Sequence, residues 1–451
     1  MAPKQTQDAY IVAAVRTPVG KAPRGMFKNV RPDDLLVHVL KSALAQCPGL
    51  DPSAVDDVIA GCAMPEAEQG INVARVALLM AGLPNNVPGM TVNRFCASGL
   101  QAVALAADRI RLGESDVMIG AGTESMSMVP MMGNKVAMNP EIFLHSENVS
   151  IAYGMGMTGE KVAQRWKISR ESQDEFAVTS HARALEAISA GEFEQEITPY
   201  IIEERRLDLS SHEVRIMTAI RNTDEGPRPG TSLEALSKLK PVFAAKGSVT
   251  AGNSSQMSDG AGAVIVVSEA ALRRFNLTPI GRFLGFAVAG VPPEIMGVGP
   301  IKAIPKVLQQ VGLRQDAIDW IELNEAFAAQ SLAVINDLGL DRTKVNPLGG
   351  AIALGHPLGA TGAIRVATLL HGLRRHKQKY GMVTMCIGTG MGAAGVFEAL
   401  YRKLFLGEID VARLRHFRFL KSLAFNLIQF LIPPNGSSLF LLFSQLRGFC
   451  K

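Results

Sequence analysis

A chain of 451 residues with 47% apolar and 19% charged side chains can bury a large core, which excludes a disordered protein and calls for two or three domains or one duplicated unit. The net charge is +5, but the stretch after Leu400 holds eight basic and two acidic residues, so the main body is close to neutral. A basic nucleic-acid surface loses its support, and 5 Tyr and 2 Trp offer little for stacking bases.

The first residues, Met-Ala-Pro-Lys-Gln-Thr-Gln, have neither the apolar core of a signal peptide nor an Arg-rich transit pattern, so a cytoplasmic location is expected. A buried strand is predicted over 9–14. An amphipathic helix follows over 34–47, with Leu35, Leu36, Val39, Leu40 and Leu44 on one side. A strand at 55–61, a helix at 71–81 ended by Gly82 and Pro84, a short extended piece at 90–93, a helix at 98–112 and a strand at 116–121 come next. This alternation points to an α/β fold with parallel strands. From 124 to 249 the texture turns polar and Met-rich, with helical stretches at 159–164 and 169–190, as in an inserted loop domain. A strand at 261–267 and a short helix at 269–275 return to the first pattern. The second half repeats the order: a strand at 318–323, a Gly-rich approach at 346–355 to a helix at 360–374, and a strand at 382–387. An internal duplication of one α/β unit is the reading.

The tail beyond 400 differs. Apolar residues at 411, 414, 417, 420, 424, 427, 428 and 431 describe a helical stripe, with Arg413, Arg415, Arg418 and Lys421 beside it. A basic membrane-surface helix is one reading; an extension without a role is the favoured one. Neither this run nor the apolar run at 439–443 reaches the ~20 residues of a membrane span.

Five cysteines at 47, 62, 96, 386 and 450 show no C-x-x-C pair, so neither a metal site nor a disulfide framework is indicated. Three strings carry chemistry. In Asn93-Arg94-Phe95-Cys96-Ala97-Ser98-Gly99-Leu100-Gln101 a cysteine stands where an extended segment meets a helix, whose free N–H groups favour a thiolate and can cradle an oxyanion. A buried inert thiol is the competing reading. In Gly349-Gly350-Ala351-Ile352-Ala353-Leu354-Gly355-His356-Pro357-Leu358-Gly359-Ala360-Thr361-Gly362, His356 lies on a tight loop before a helix, as a catalytic or a structural histidine. In Cys386-Ile387-Gly388-Thr389-Gly390-Met391-Gly392, glycines after a strand let backbone approach a ligand; the Lys-Ser/Thr of a phosphate loop is missing.

Together with Asn324-Glu325-Ala326-Phe327-Ala328 and Thr250-Ala251-Gly252-Asn253-Ser254-Ser255, these strings closely resemble the thiolases, the acetyl-CoA acyltransferases, from about Ala9 to Leu400. The resemblance implies a duplicated thiolase-type α/β-α layered fold. Residues 1–123 with 250–275 form one half, 124–249 the loop domain and 276–400 the other half; 401–451 falls outside the pattern. It implies Cys96 as the acylated nucleophile and His356 as its activator, donating to one thioester oxygen. Cys386 is then the proton carrier, and Asn324 holds a water beside His356 to complete one oxyanion hole. The N–H groups of Cys96 and Gly388 make the other. Ser255 would touch pantetheine, and Arg228 the nucleotide end of CoA. No permanent cofactor or metal is implied; acyl-CoA and CoA are substrates. A homodimer or homotetramer is expected, with a β-oxidation multienzyme assembly as a further partner.

The expected reaction is cleavage of 3-ketoacyl-CoA by CoA in fatty-acid β-oxidation. Condensation of two acetyl-CoA and an idle membrane-associated scaffold are the alternatives. Short-chain condensing thiolases usually carry histidine where this chain has Gly154, so space for a longer acyl tail is expected. Met126, Met128, Met131, Met132 and Met138 suit either an apolar tunnel or plain packing and oligomer contact, with packing favoured.

Overall fold

The computed structural model describes residues 6–401. The tail readings lie outside the described residues.

The chain alternates as expected through its first quarter. Strand β1, Ala9–Arg16, is buried almost throughout. Helix α1, Pro32–Ala45, starts on a proline with Asp33 and Asp34 in its first turn, where carboxylates suit the free N–H groups. Then come β2 (Asp57–Gly61), α2 (Val73–Met80), β3 (Gly89–Val92), α3 (Ser98–Arg111) and β4 (Val117–Ser125). The inserted region holds helices α4 (Met155–Arg165) and α5 (Arg170–Ser189) and a separate hairpin, Tyr200–Asp208 with Glu213–Arg221. Strand β5, Ser258–Val267, closes the first half. The second half runs β6 (Gly281–Gly290), α6 (Gly299–Val311), β7 (Trp320–Leu323), α7 (Ala328–Leu338), α8 (Leu358–Arg375), β8 (Tyr380–Ile387) and β9 (Met391–Ala399).

These strands form one sheet in the order β3-β2-β4-β5-β1-β6-β9-β8-β7, and residue Val345 bridges Ile321 in parallel beyond β7. Counted within each half, with the Val345 segment as third strand, the order is 3-2-4-5-1 twice. The two copies meet where β1 pairs antiparallel with β6. The duplication inferred from element order is therefore written into the topology.

The sheet is mixed, not parallel. Only β2–β3, β2–β4 and β7–β8 are parallel among the strand pairs. The physical cause is the last strand of each half. In the second half β8 returns into β9 through residues 388–390 alone, and so short a connection makes an antiparallel hairpin. In the first half the corresponding β4-to-β5 connection carries the whole inserted region, and the two strands again pair antiparallel.

Three large apolar clusters make up most of the core. The largest packs α3 and α8, through residues such as Val103, Ile110, Val366 and Leu370, against one face of the sheet. The second packs α1 and α2 on the other face of the first half. The third packs α6 and α7 residues on the second half. One buried ion cluster ties the inserted region to both. Arg16 Nε meets Glu196 Oε1 at 2.5 Å, its terminal nitrogens meet Asp224 at 2.8 and 2.9 Å, and Thr368 Oγ1 donates to Glu196 at 2.8 Å. Removing the cation leaves two buried carboxylates unpaired. Arg16→Met is expected to lower the unfolding free energy in urea by about 3–5 kcal/mol; a loss below about 1 kcal/mol would show the cluster does not hold the fold.

Candidate active site

Cys96 stands on a sharp elbow. Asn93 Oδ1 accepts from Phe95 N at 2.8 Å, and Asn93 Nδ2 donates to Ala63 O at 3.0 Å. Ser98 Oγ donates to Phe95 O at 2.7 Å and accepts from Arg94 N at 2.8 Å. These bonds hold Phe95 at φ 43°, in the left-handed region that an aromatic residue rarely adopts. A single 3-10 turn, Phe95–Ala97, then runs straight into α3. The N–H groups of Gly388 and of Cys96 itself are both aimed at the Cys96 sulfur. Gly388 opens the three-residue turn between β8 and β9, where Thr389 and Gly390 take positive φ.

His356 follows Gly355, whose φ of 96° reverses the chain and whose missing Cβ leaves room for Ser258 Oγ. Ser258 Oγ in turn accepts from His356 N at 3.1 Å. The imidazole is held at both ends: Nδ1 meets Thr361 Oγ1 at 2.7 Å and Nε2 meets Asn324 Nδ2 at 3.3 Å. Asn324 leaves the end of β7, its N–H donating to Thr384 O at 2.9 Å on the neighbouring strand. Its Oδ1 is buried with no donor among the described residues, an acceptor left open inside the site.

All four predicted reactive side chains are nearly sealed off: Cys96 is 8% exposed, His356 4%, Asn324 2% and Cys386 0%. They fall into two pairs. Asn324 touches His356, and the Cys96 and Cys386 sulfurs lie close enough to influence each other electrostatically. No direct hydrogen bond joins Cys96 to His356 among the described residues. The pairs share one end of the molecule because α3 and α8 pack against each other: a Cβ on Gly99 would meet Gly359 O at 2.8 Å.

Burial controls the charges. It pushes the Cys96 thiol up to about 11, outweighing the pull of the two N–H groups, and nearby Glu124 adds to the rise. The Cys386 thiol is raised further, by burial and then by the Cys96 sulfur. Burial, then the positive Arg365, lowers His356 to about 3. At neutral pH the resting site therefore holds two thiols and a neutral imidazole.

The two predicted CoA contacts stand outside these four residues. Ser255 is half-buried and fixed by its N–H to Ala326 O at 3.0 Å. Arg228 is exposed beyond the hairpin, its N–H on His181 Nδ1 at 3.2 Å. Gly154 precedes α4 and borders open space: a Cβ there would meet nothing within 4 Å. Of the methionines, Met126 belongs to the core while Met131 and Met132 are exposed. The apolar wall beside Cys386 is instead Met155, Val249, Met296, Ala326 and Phe327. Of these, Val249 and Met296 drew no attention in the sequence, since neither belongs to a motif. A polar cleft of about 1000 Å³ at the hairpin's base holds none of the reactive residues.

Comparison with known proteins decides the family. The model of the thiolase N-terminal domain matches residues 9–270, and that of the thiolase C-terminal domain matches 277–399. The chain belongs to the thiolase family. It is 48% identical over 392 residues to the 3-ketoacyl-CoA thiolase of Bacillus subtilis (strain 168), covering 87% of this chain and 99% of that one. Its fold matches the crystal structure of the Bacillus anthracis acetyl-CoA acetyltransferase with TM-score 0.79 and 40% identity, over 88% of this chain and all of that one. The dimeric peroxisomal thiolase of Saccharomyces cerevisiae gives TM-score 0.79 and 42% identity, over 88% and 99% of the two chains. This thiolase is thus an acyltransferase.

The neutral resting pair has a measurable consequence. A cysteine raised toward 11 exposes about ten times more thiolate for each pH unit below that value. Iodoacetamide modification of Cys96 in the substrate-free enzyme, followed by peptide mass spectrometry, is expected to rise in that way from pH 6 to 9. A rate already level below pH 7 would mean a preformed thiolate–imidazolium pair instead.

Proposed function

We propose that this thiolase cleaves 3-ketoacyl-CoA with CoA, yielding acetyl-CoA and an acyl-CoA two carbons shorter. The observation that carries the reading is the Cys96 elbow, with two N–H groups turned to its sulfur and a second thiol within electrostatic reach. Cys96 gives its proton to His356, and the sulfur attacks the 3-keto carbon. The oxygen of that carbon becomes an oxyanion, and each donor that meets it is worth on the order of 3 kcal/mol. The bond between C2 and C3 then breaks. Its electron pair goes to C2, and the resulting enolate takes the proton of Cys386 to leave as acetyl-CoA. The acyl group stays on Cys96 as a thioester. The Cys386 thiolate next removes the proton of incoming CoA, whose sulfur attacks that thioester. Cys96 leaves as thiolate and recovers its proton from His356. Two half-reactions on one enzyme give ping-pong kinetics.

Two assignments share the oxyanions. The N–H groups of Cys96 and Gly388 form one hole, and His356 Nε2 with Asn324 the other. The open Asn324 Oδ1 suits a water held between them. Ser255 is assigned to pantetheine and Arg228 to the phosphate-bearing end of CoA.

The degradative direction is supported by the space at Gly154 and by the names of the curated relatives. The likeness to an acetyl-CoA acetyltransferase supports the condensing reading, which is the same chemistry in reverse. A homodimer is supported by the yeast relative and by the free edge of the sheet at β3, where Met90 and the nearby Ile71 are exposed. The buried unpaired thiols at 47, 62, 96 and 386 suit a reducing cytoplasm.

Brief mixing with a 3-ketoacyl-CoA is expected to leave an acyl mass on the Cys96 peptide, absent in Cys96→Ser. A series of chain lengths is expected to favour six carbons or more over four. Gly154→His should cut the long-to-short ratio of kcat/KM by about 10-fold, since one filled pocket position is worth about 1–3 kcal/mol. Preference for the four-carbon substrate in the unaltered enzyme would support condensation.

A further inference from the structure

A catalytic imidazole usually has its far nitrogen on a carboxylate, which orients the ring and stabilises its charged form. His356 lacks one. Its Nδ1 lies 2.7 Å from Thr361 Oγ1, and both residues are buried, Thr361 at 1% exposure. We infer that Thr361 is the positioning residue of this thiolase: its hydroxyl orients the His356 ring and stays bonded to Nδ1 whichever ring nitrogen carries the proton. This rests on the reading of Cys96 and His356 given above.

The proton assignment follows from the partners. Asn324 Nδ2 has only hydrogens to offer, so at 3.3 Å Nε2 must accept. A neutral ring carries one proton, which is then on Nδ1 and donated to Thr361 Oγ1. The ring thus rests with its lone pair on Nε2, shared with Asn324 Nδ2, and takes a thiol proton only as that bond gives way. The hydroxyl is itself firmly placed. Thr361 sits in the first turn of α8, its N–H on Pro357 O at 3.0 Å, and that turn is pinned where Gly359 N donates to Glu124 Oε2 at 2.8 Å.

A hydroxyl does something a carboxylate cannot. It adds no negative charge, so it does not hold the ring in its charged form, and the Cys96–His356 pair rests neutral. It can also reverse its role. When Nδ1 carries the proton, Oγ1 accepts; when Nε2 carries it, the hydroxyl turns and donates to Nδ1. The same contact therefore serves His356 as a base toward Cys96 and as a donor toward the substrate oxygen.

The test compares Thr361→Val, which keeps the shape and loses the hydroxyl, with Thr361→Ser, which keeps the hydroxyl. Thiolysis is measured across pH 6 to 9. Thr361→Val is expected to lose about 100-fold in kcat with KM within about 3-fold, because an unplaced base forfeits most of its contribution. Its rate should climb with pH more steeply than the wild type, as hydroxide substitutes for the misplaced base. Thr361→Ser should stay within about 3-fold of wild type in both constants. If Thr361→Val does not fold, Thr361→Ala takes its place against the same serine control. Wild-type kcat and pH profile in the hydroxyl-free variant would overturn the inference. So would a serine variant as slow as the valine one. Acylation of Cys96 in the wild type is followed in parallel: its absence would remove the thiolase mechanism, whereas its presence with an unaffected valine variant would remove only the role of Thr361.

Discussion

The site depends on how closely two helices can approach. Helices α3 and α8 come from opposite halves, and the residues before their first turns carry Cys96 and His356. Their backbones touch. A Cβ on Gly362 would lie 2.0 Å from Leu100 N, and one on Gly99 would lie 2.8 Å from Gly359 O and from Ala363 N. A side chain at either position would force the two backbones apart, most of all at Gly362. A reacting pair is sensitive at that scale, because productive geometry needs the atoms about 3–3.5 Å apart. The apolar cluster around both helices supplies the force, and the glycines set the distance at which it stops.

Burial is the second consequence of that packing. Away from bulk solvent, ionising any one of Cys96, Cys386 and His356 is costly, and the charge found nearby, Arg365, further opposes a charged imidazole. Arg365 is itself engaged by Glu322 at 3.4 Å, and burial lifts that carboxyl to about 7 despite the guanidinium. The resting enzyme therefore holds Cys96, the proposed nucleophile, as a thiol. Under the proposed mechanism the thiolate forms only when a bound carbonyl can receive its charge through the waiting N–H groups. A neutral resting pair is less open to adventitious alkylation than a permanent thiolate, which fits a site sealed to a few per cent exposure.

Much of this could be read from the residues. Strands with strong apolar runs, such as Ala9–Arg16 and Val117–Ser125, were evident, and so was Cys96 at an extended-to-helix junction. Strands β6 and β9 were hidden by their own composition. Gly281–Gly290 and Met391–Ala399 are rich in Gly and Ala, since helices press on them at backbone distance: Gly392 packs on the backbone of Gly299 and Gly285 on Val311. Such strings read as loops. The hairpin at Tyr200–Asp208 and Glu213–Arg221 was hidden for the opposite reason. Both its faces are largely exposed, so no buried side imposes an alternation. Buried charges such as Arg16, Glu124 and Glu322 cannot be told from surface ones by type alone. Thr361 carried a faint signal: a hydroxyl five residues after His356, within the first turn of the helix that follows.

The duplication explains why the chemistry is divided as it is. In the first half Gly61 pairs with Gly122, and in the second Leu323 pairs with Thr384. One residue beyond the first member of each pair stands Cys62 in one half and Asn324 in the other. Two residues beyond the second member stand Glu124 and Cys386. The same two positions of one repeated frame thus carry different tasks. Glu124 is turned to architecture: it accepts from Ala63 N at 2.7 Å and Gly359 N at 2.8 Å, binding the Cys96 side of the molecule to the helix after His356. Under the proposed mechanism Cys386 keeps a titratable proton within electrostatic reach of Cys96. A twofold frame brings equivalent strand ends and helix starts face to face, but the proposed acyl transfer between thiols needs unlike groups there. Divergence of the two copies meets that need: one copy's strand end fixes the seam, and under the proposed mechanism the other's moves protons across it.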